Sequence, residues 1–190
     1  MKGAAPDPIR LPLATAERVA GKVIESLQEF CSPDAEGRPM IVAAGSIRRR
    51  RPECGDIDIV CLPRDEHAKD ALKARARKTN PWTLVDGAQQ FRLILELPKT
   101  GPVQVDFWFA QHEVKDMFGA TPANWGSLLL FTTGSGRHNI WIVNRAKSKG
   151  FAWKPYCGVW EGQLCHASAT EEDIYRVLDL EYLKPEDRER

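Results

Sequence analysis

Two aspartates, Asp56 and Asp58, stand two positions apart in the run Gly55-Asp56-Ile57-Asp58-Ile59-Val60, and that spacing limits how the chain can fold around them. The β-branched residues between and after them read as strand, and side chains two apart on a strand leave by the same face. The two carboxylates therefore project together. Side by side they repel, which works against the fold unless a cation or a proton lies between them. A hard divalent ion is the natural resolution, because magnesium takes one or two carboxylates together with phosphate oxygens and keeps several waters. The run reads as a nucleotide site with bound metal.

A two-ion site needs a third carboxylate. The run Val103-Gln104-Val105-Asp106-Phe107-Trp108-Phe109 offers Asp106 amid apolar residues on a second strand-like stretch. If the two strands are neighbours, the three carboxylates could hold two ions about 3.5–4 Å apart, one on an attacking oxygen and one on a triphosphate. Ahead of the first pair, Met40 to Ala44 reads as a strand that ends in Gly45-Ser46. There backbone amides can converge on an anion and the hydroxyl can donate one more bond. Arg48 and Arg49 add forks matched to phosphate oxygens. Arg50 and Arg51 exceed what one phosphate needs and read as solvated surface or contacts to a polynucleotide.

Gly45-Ser46-Ile47-Arg48-Arg49, Gly55-Asp56-Ile57-Asp58 and Val105-Asp106 together resemble the palm signature of the nucleotidyltransferase superfamily, and specifically of the family X DNA polymerases of the polymerase beta type. Leu128 to Ser135 with Asn139, Arg145 to Phe151, Glu171 to Leu178 and Tyr182 to Arg188 are similar to later segments of that family, and Arg10-Leu11-Pro12 to the start of its palm. The resemblance implies an α+β fold: a nucleotidyltransferase palm, which is a mixed sheet with flanking helices, plus a small C-terminal α/β subdomain of the fingers or thumb kind. The implied division is a mobile tail over 1–9, the palm over 10–118 and a nucleotide- and DNA-binding subdomain over 119–190. With so little ahead of the palm, a minimal polymerase without lyase activity is implied.

The implied chemistry is in-line attack of a primer 3′-hydroxyl on the α-phosphorus of a dNTP, with two Mg²⁺ ions as cofactor and Mn²⁺ able to substitute. Asp56, Asp58 and Asp106 are the expected catalytic and metal-holding residues. Gly45, Ser46, Arg49, Gly55, Phe131, Gly134 and Asn139 are expected to bind the nucleotide. Ser46 and Arg49 take the β and γ phosphates, Gly55 lets the backbone approach, Gly134 approaches the sugar, and Asn139 meets the minor-groove edge of the base. The chain departs from the family at Leu13, Thr132 and Val143, which weakens triphosphate contact, sugar discrimination and template contact in that order. The expected partners are gapped or primer-template DNA and dNTP, for short gap filling in repair, by a monomer working with a ligase or another repair protein. Two other readings stay open: a template-independent or non-DNA nucleotidyltransferase, acting on an RNA end, a small molecule or a protein, and a non-catalytic DNA-end binding module.

The 190 residues suffice for one well-buried domain, or a catalytic domain with a small appendage. A net charge of +1 does not announce a nucleic-acid protein. Its distribution is more suggestive: Lys69, Lys73, Arg75, Arg77 and Lys78 form one basic segment, and Arg137, His138, Arg145, Lys147, Lys149 and Lys154 another. Either could follow a phosphate backbone or be a solvated helix face. Helices are expected over 15–30, 66–78, from Trp125 with a break at Gly134, and over 170–178. Strands are expected over 82–85 and 91–97, and a short sheet over 151–164. Asn80-Pro81 should stop the second helix, and Pro98 to Gly101 should turn the chain into the Asp106 strand. Five scattered cysteines without a CxxC pair suggest reduced thiols in a cytoplasmic setting, nucleoid or viral factory, and not a secreted protein. No long apolar run predicts a membrane span. Six tryptophans suit core packing, with Trp141 the one placed to touch DNA.

Overall fold

The computed structural model describes residues 5–78, 82–98, 100–116 and 119–189, with side chains over the same ranges except 115, 116 and 119–121. The expected stop at Asn80-Pro81, Lys99 in the 98–101 turn, residue 118 at the expected boundary and the first four residues of the tail lie outside them. Contacts divide the chain into two units, one ending at Phe109 and one starting at Ala110.

The first unit is built on a five-stranded mixed sheet in the order β2-β4-β7-β6-β5, formed by Ile41–Ala43, Ile57–Cys61, Gly101–Phe109, Gln90–Leu97 and Trp82–Asp86. Strand β7 runs parallel to β4 and antiparallel to β6, so the strand made last inserts at the centre. Alternation along the strands sorts the residues by face. Ile57, Ile59 and Cys61 of β4, Phe91 and Leu93 of β6, and Val103, Val105, Phe107 and Phe109 of β7 join one core with α1, Leu13–Leu27, and α3, Glu66–Arg77. From α1 the buried residues are Ala16, Val19, Ala20 and Leu27, spaced as one helical stripe. The helix expected over 15–30 is α1 followed by a single 3₁₀ turn at Gln28–Phe30. Asp65 caps α3, its carboxylate accepting from the Ala68 amide at 2.7 Å. A short ladder that the sequence pattern does not announce joins β1, Leu11–Pro12, to β3, Glu53–Cys54. It ties the start of the chain to the lead-in of the aspartate strand.

The second unit contains a hairpin of β8, Val114–Asp116, and β9, Gly119–Thr121. Helices α4, Trp125–Thr133, and α5, Gly136–Ser148, follow, then a three-stranded antiparallel sheet β10-β11-β12 spanning Ala152 to Ala167, and α6, Glu171–Val177. Leu130, Ile142, Ala146, Val159, Ala167, Ile174, Tyr175 and Leu178 form its core. Gly126 of α4 lies so close to α6 that an added Cβ would fall 2.2 Å from the Thr170 carbonyl carbon. Beneath α6 the Arg188 guanidinium, 0% exposed, meets the Glu171 carboxylate, 4% exposed, at 2.7 Å. Tyr182 donates to the same carboxylate at 3.0 Å, and Arg188 Nε donates to the Leu183 carbonyl at 2.9 Å. The charges are desolvated but each has its partners, so losing one leaves the other stranded.

Replacing Arg188 by Met should therefore destabilise the second unit by about 3–5 kcal/mol in urea unfolding, whereas the double change Glu171→Leu with Arg188→Met should recover most of that loss.

Candidate active site

The register of three strands makes the centre of the site. Asp58 of β4 pairs with Asp106 of β7, and Asp106 pairs with Arg92 of β6, so carboxylate, carboxylate and guanidinium stand in one row across the sheet, on the face opposite the core side of Ile57, Ile59 and Phe107. Asp56, just before β4, joins them, and each of the three aspartates offers an oxygen within 4.8 Å of the others. The strand pairing the sequence required for its third carboxylate is present.

Burial and mutual repulsion act on this group. Asp58 has its pKa pushed up to about 7, first by burial and next by the charge of Asp56, while a hydrogen bond from Trp108 Nε1 to its Oδ1 at 3.0 Å works the other way. Asp56 is raised as well, by burial first and then by Asp106, against the attraction of Arg92, Arg10 and Arg49. Asp106 is 2% exposed and accepts a two-pronged bond from Arg92, Nε to Oδ1 at 2.6 Å and Nη2 to Oδ2 at 2.7 Å. Gln104 Nε2 lies 3.4 and 3.3 Å from the same two oxygens.

Beside the row, the chain leaves β2 and enters α2, Gly45–Arg48. The expected turn is thus the first turn of a one-turn helix. Gly45 has φ +54°, and a Cβ there would fall 2.1 Å from Asp58 Oδ2, so this position has to be glycine for both conformation and space. Its closeness brings the Gly45-Ser46 turn against the carboxylates. The Ser46 hydroxyl oxygen is buried and has no hydrogen-bond partner among the described residues. A buried hydroxyl left so costs about 1–3 kcal/mol, and an anionic oxygen of a ligand would satisfy it. Arg49 follows at the helix end, its charge acting on both Asp56 and Asp58. The donor set fits hard divalent ions with a phosphate beside them: oxygen ligands in a tight group, and a glycine cradle with a hydroxyl and an arginine next to it.

Gly55 precedes Asp56, with Arg10 as the nearest group to where a Cβ would stand. The remaining expected residues meet at the α4–α5 junction of the second unit. Asn139 Nδ2 donates to the Phe131 carbonyl at 2.8 Å, and Gly134 ends α4 with φ +69°. Ser135 then caps α5 and donates its hydroxyl to the Arg188 carbonyl at 2.7 Å. The Phe131 ring lies 5.8 Å from the Tyr156 ring.

The basic segments are more internal than their spacing suggested. Lys73 is buried and bonds Asp86 at 3.1 Å and the Gly87 carbonyl at 2.8 Å, Arg77 bonds Asp86, and Lys69 bonds Glu66 at 2.6 Å. His138 is 0% exposed against the Tyr175 hydroxyl at 2.7 Å. Arg145 and Lys149 hold the carbonyls of Leu178 and Val177. Trp141 packs beside His138 and Tyr175 in the second core, the ordinary use of a tryptophan. Sequence reasoning missed Arg92, Gln104 and Trp108. For Arg92 a signal existed: β6 and β7 pair without a bulge, so Arg92 and Asp106 are equidistant from the turn between them.

The raised pKa of Asp58 has a thermodynamic sign. The folded chain holds that proton more tightly than the unfolded chain does, so without divalent ions stability is undiminished below about pH 4 and falls as pH rises towards about 7. In EDTA the melting temperature of the wild type should drop relative to that of Asp58→Asn between pH 4.5 and about 7.5.

The DNA polymerase beta thumb family matches residues 128–189. DNA polymerase lambda of Rattus norvegicus is 26% identical over 203 residues, covering 95% of this chain; the chain spans only 33% of that relative's length. The fold is that of polymerase beta. The Leishmania infantum polymerase beta in its ternary P/T complex matches 97% of this chain and 78% of its own, at 19% identity with a TM-score of 0.71. The same protein's ternary gap complex matches 96% and 71%, at 18% identity with a TM-score of 0.72. The thumb match over the last third of the chain, the polymerase lambda likeness along nearly its whole length and the motifs around Asp56, Asp58 and Asp106 make the chain similar to the family X DNA polymerases.

Proposed function

We propose that the chain adds a dNMP from a dNTP to a primer 3′-hydroxyl, filling short gaps in DNA, with a palm over 10–118 and a nucleotide- and DNA-binding subdomain over 119–190; the contact division falls earlier, between Phe109 and Ala110. The observation that carries this reading is the row of Asp58 and Asp106 with Asp56 beside it, set against a turn whose serine hydroxyl has no partner among the described residues. One curated relative is a DNA polymerase, and two structural neighbours are polymerase beta ternary complexes, one a P/T and one a gap complex.

Asp56, Asp58 and Asp106 would hold Mg²⁺, two ions with Mn²⁺ as substitute, which when bound supply charge neutralisation on the triphosphate and make the primer hydroxyl a better nucleophile. The chain's own groups orient and neutralise. Asp58 and Asp106, fixed by strand pairing, keep their carboxylates in one orientation on a rigid sheet, which is where positioned catalysis is most effective. Ser46 donates to a phosphate oxygen, and Arg49 places a permanent charge where the leaving pyrophosphate accumulates negative charge. Gly45 lets the turn lie against the Asp58 carboxylate, and Gly55 lets the triphosphate approach the backbone. Gly134 and Asn139 serve the sugar and the base edge, Asn139 keeping one amide hydrogen for that bond while the other holds the Phe131 carbonyl. Trp108 keeps Asp58 aimed by its indole bond.

Five free thiols suit a reducing compartment, and no helix among the described residues is long and apolar enough to cross a membrane.

The test is extension of a labelled primer in Mg²⁺ or Mn²⁺ on gapped, nicked and single-stranded DNA. Template-directed addition at the gap is expected. Addition without a template would replace this reading with a terminal transferase, and DNA binding without extension in either metal would replace it with an end-binding module. Asp106→Asn should slow turnover by about a hundredfold or more, the scale of losing several kcal/mol of charge stabilisation.

A further inference from the structure

A carboxylate has about four lone-pair positions. On Asp106 every one has a protein donor near it: Arg92 takes both oxygens at 2.6 and 2.7 Å, and Gln104 reaches both at 3.3–3.4 Å. Asp106 is also 2% exposed, which shields it from bulk solvent. The Arg92 bonds are short, charge-assisted and fork-shaped, which makes them the strong pair, and the long Gln104 contacts the weak one. Among the described residues Asp56 and Asp58 have no such clamp. Asp58 accepts from a neutral indole, and Arg92 acts on Asp56 only through its charge.

We propose that Arg92 is a displaceable counter-ion for Asp106: its fork competes with the divalent ion for this one ligand, and so sets the cation concentration at which the site assembles. The proposal rests on the metal-binding reading of the three aspartates. To give Asp106 to a cation, the guanidinium must release at least one oxygen. It can do so without being left in an apolar interior, because its side chain is 33% exposed while its partner is not. The strand holding Arg92 stays where it is, since β6 is paired to β7 along its whole length, so the exchange is a rotation of one side chain and not a movement of the sheet. The geometry also assigns the competition to one carboxylate. A lysine opposite Asp106 would present a point charge and not a fork to its two oxygens. Arg92 is thus a positioning residue, acting on the reaction through Asp106.

The experiment is Mn²⁺ binding to the whole chain without DNA or nucleotide, followed by electron paramagnetic resonance of the free ion, for wild type, Arg92→Gln, Arg92→Lys, Arg10→Gln and Asp58→Asn. Arg92→Gln should bind Mn²⁺ about tenfold more tightly or better, the scale of removing a competing charge-assisted bond. Arg92→Lys, which keeps the charge and loses the fork, should fall between it and the wild type. Arg10→Gln removes a charge that acts on Asp56 without touching Asp106, and should tighten Mn²⁺ binding far less than Arg92→Gln does. Equal affinity of Arg92→Lys and wild type would reduce Arg92 to a distant charge and overturn the competition, as would equal affinity of Arg92→Gln and wild type. If the wild type, Arg92→Gln and Asp58→Asn all fail to bind Mn²⁺, the metal reading itself falls and takes the proposal with it. If binding is lost only in Asp58→Asn and is unchanged in Arg92→Gln, the metal reading stands and the proposal alone fails. Melting temperatures provide a readout that a simple structural role would not give. Arg92→Gln should melt below the wild type in EDTA but gain more from saturating Mn²⁺. An equal deficit in both conditions would mean that Arg92 only props the sheet.

Discussion

Like charges held on one face of a rigid sheet are the constraint on which the first unit is arranged. Asp58 and Asp106 are fixed opposite each other by backbone pairing of β4 with β7, so their side chains cannot move apart without breaking the ladder. Everything near them answers that repulsion. Arg92 is drawn opposite Asp106 by the pairing of β6 with β7, Trp108 gives its indole hydrogen to Asp58, and Arg49 lends charge from the end of α2. What remains is relieved by raised proton affinity, largest at Asp58. The arrangement keeps its carboxylates poised for a stronger cation because the local partners compensate them only in part.

The opposite face of the same strands supplies the rigidity. Ile57, Ile59, Phe91, Val105 and Phe107 are buried under α1 and α3, and a one-residue slip in any of these strands would turn this apolar set outwards and the aspartates inwards. Core and site therefore specify the same register. The second unit uses another device. It closes its small core over α6 with the Arg188–Glu171 pair and ties the α4–α5 junction by Asn139 and Ser135, so that the residues expected to meet sugar and base stand on one braced corner.

Much of this was legible in the residues. The spacing of Asp56 and Asp58, the apolar run around Asp106 and the Gly45-Ser46 turn each follow from local rules of strand periodicity and glycine geometry, and α1 followed from its apolar stripe, though it runs over 13–27 where 15–30 was expected. Arg92 was not legible in the same way, because its importance arises from register across a hairpin, and neither strand alone states which residue faces which. The basic segments were legible only in part for a related reason. Lys73, Arg77, Arg145 and Lys149 are cations on helices, and only tertiary structure shows that Asp86, Asp179 and chain carbonyls consume them. The β1–β3 ladder is two residues long on each side, too short for any periodicity to appear.

The central position of β7 has a consequence for how the chain is made. Synthesis delivers β2 and β4, then β5 and β6, before the strand that lies between the two pairs, so the growing chain cannot complete its sheet until Phe109 has emerged. Over that interval Ile57, Ile59 and Phe91 lack their largest neighbours, and β4 and β6 each present unpaired amides and carbonyls. The arrival of β7 joins the halves in one step and brings Asp106 to Asp58 and Arg92 at once. Closure of the sheet and assembly of the site are the same event, so a nascent chain cannot acquire one without the other.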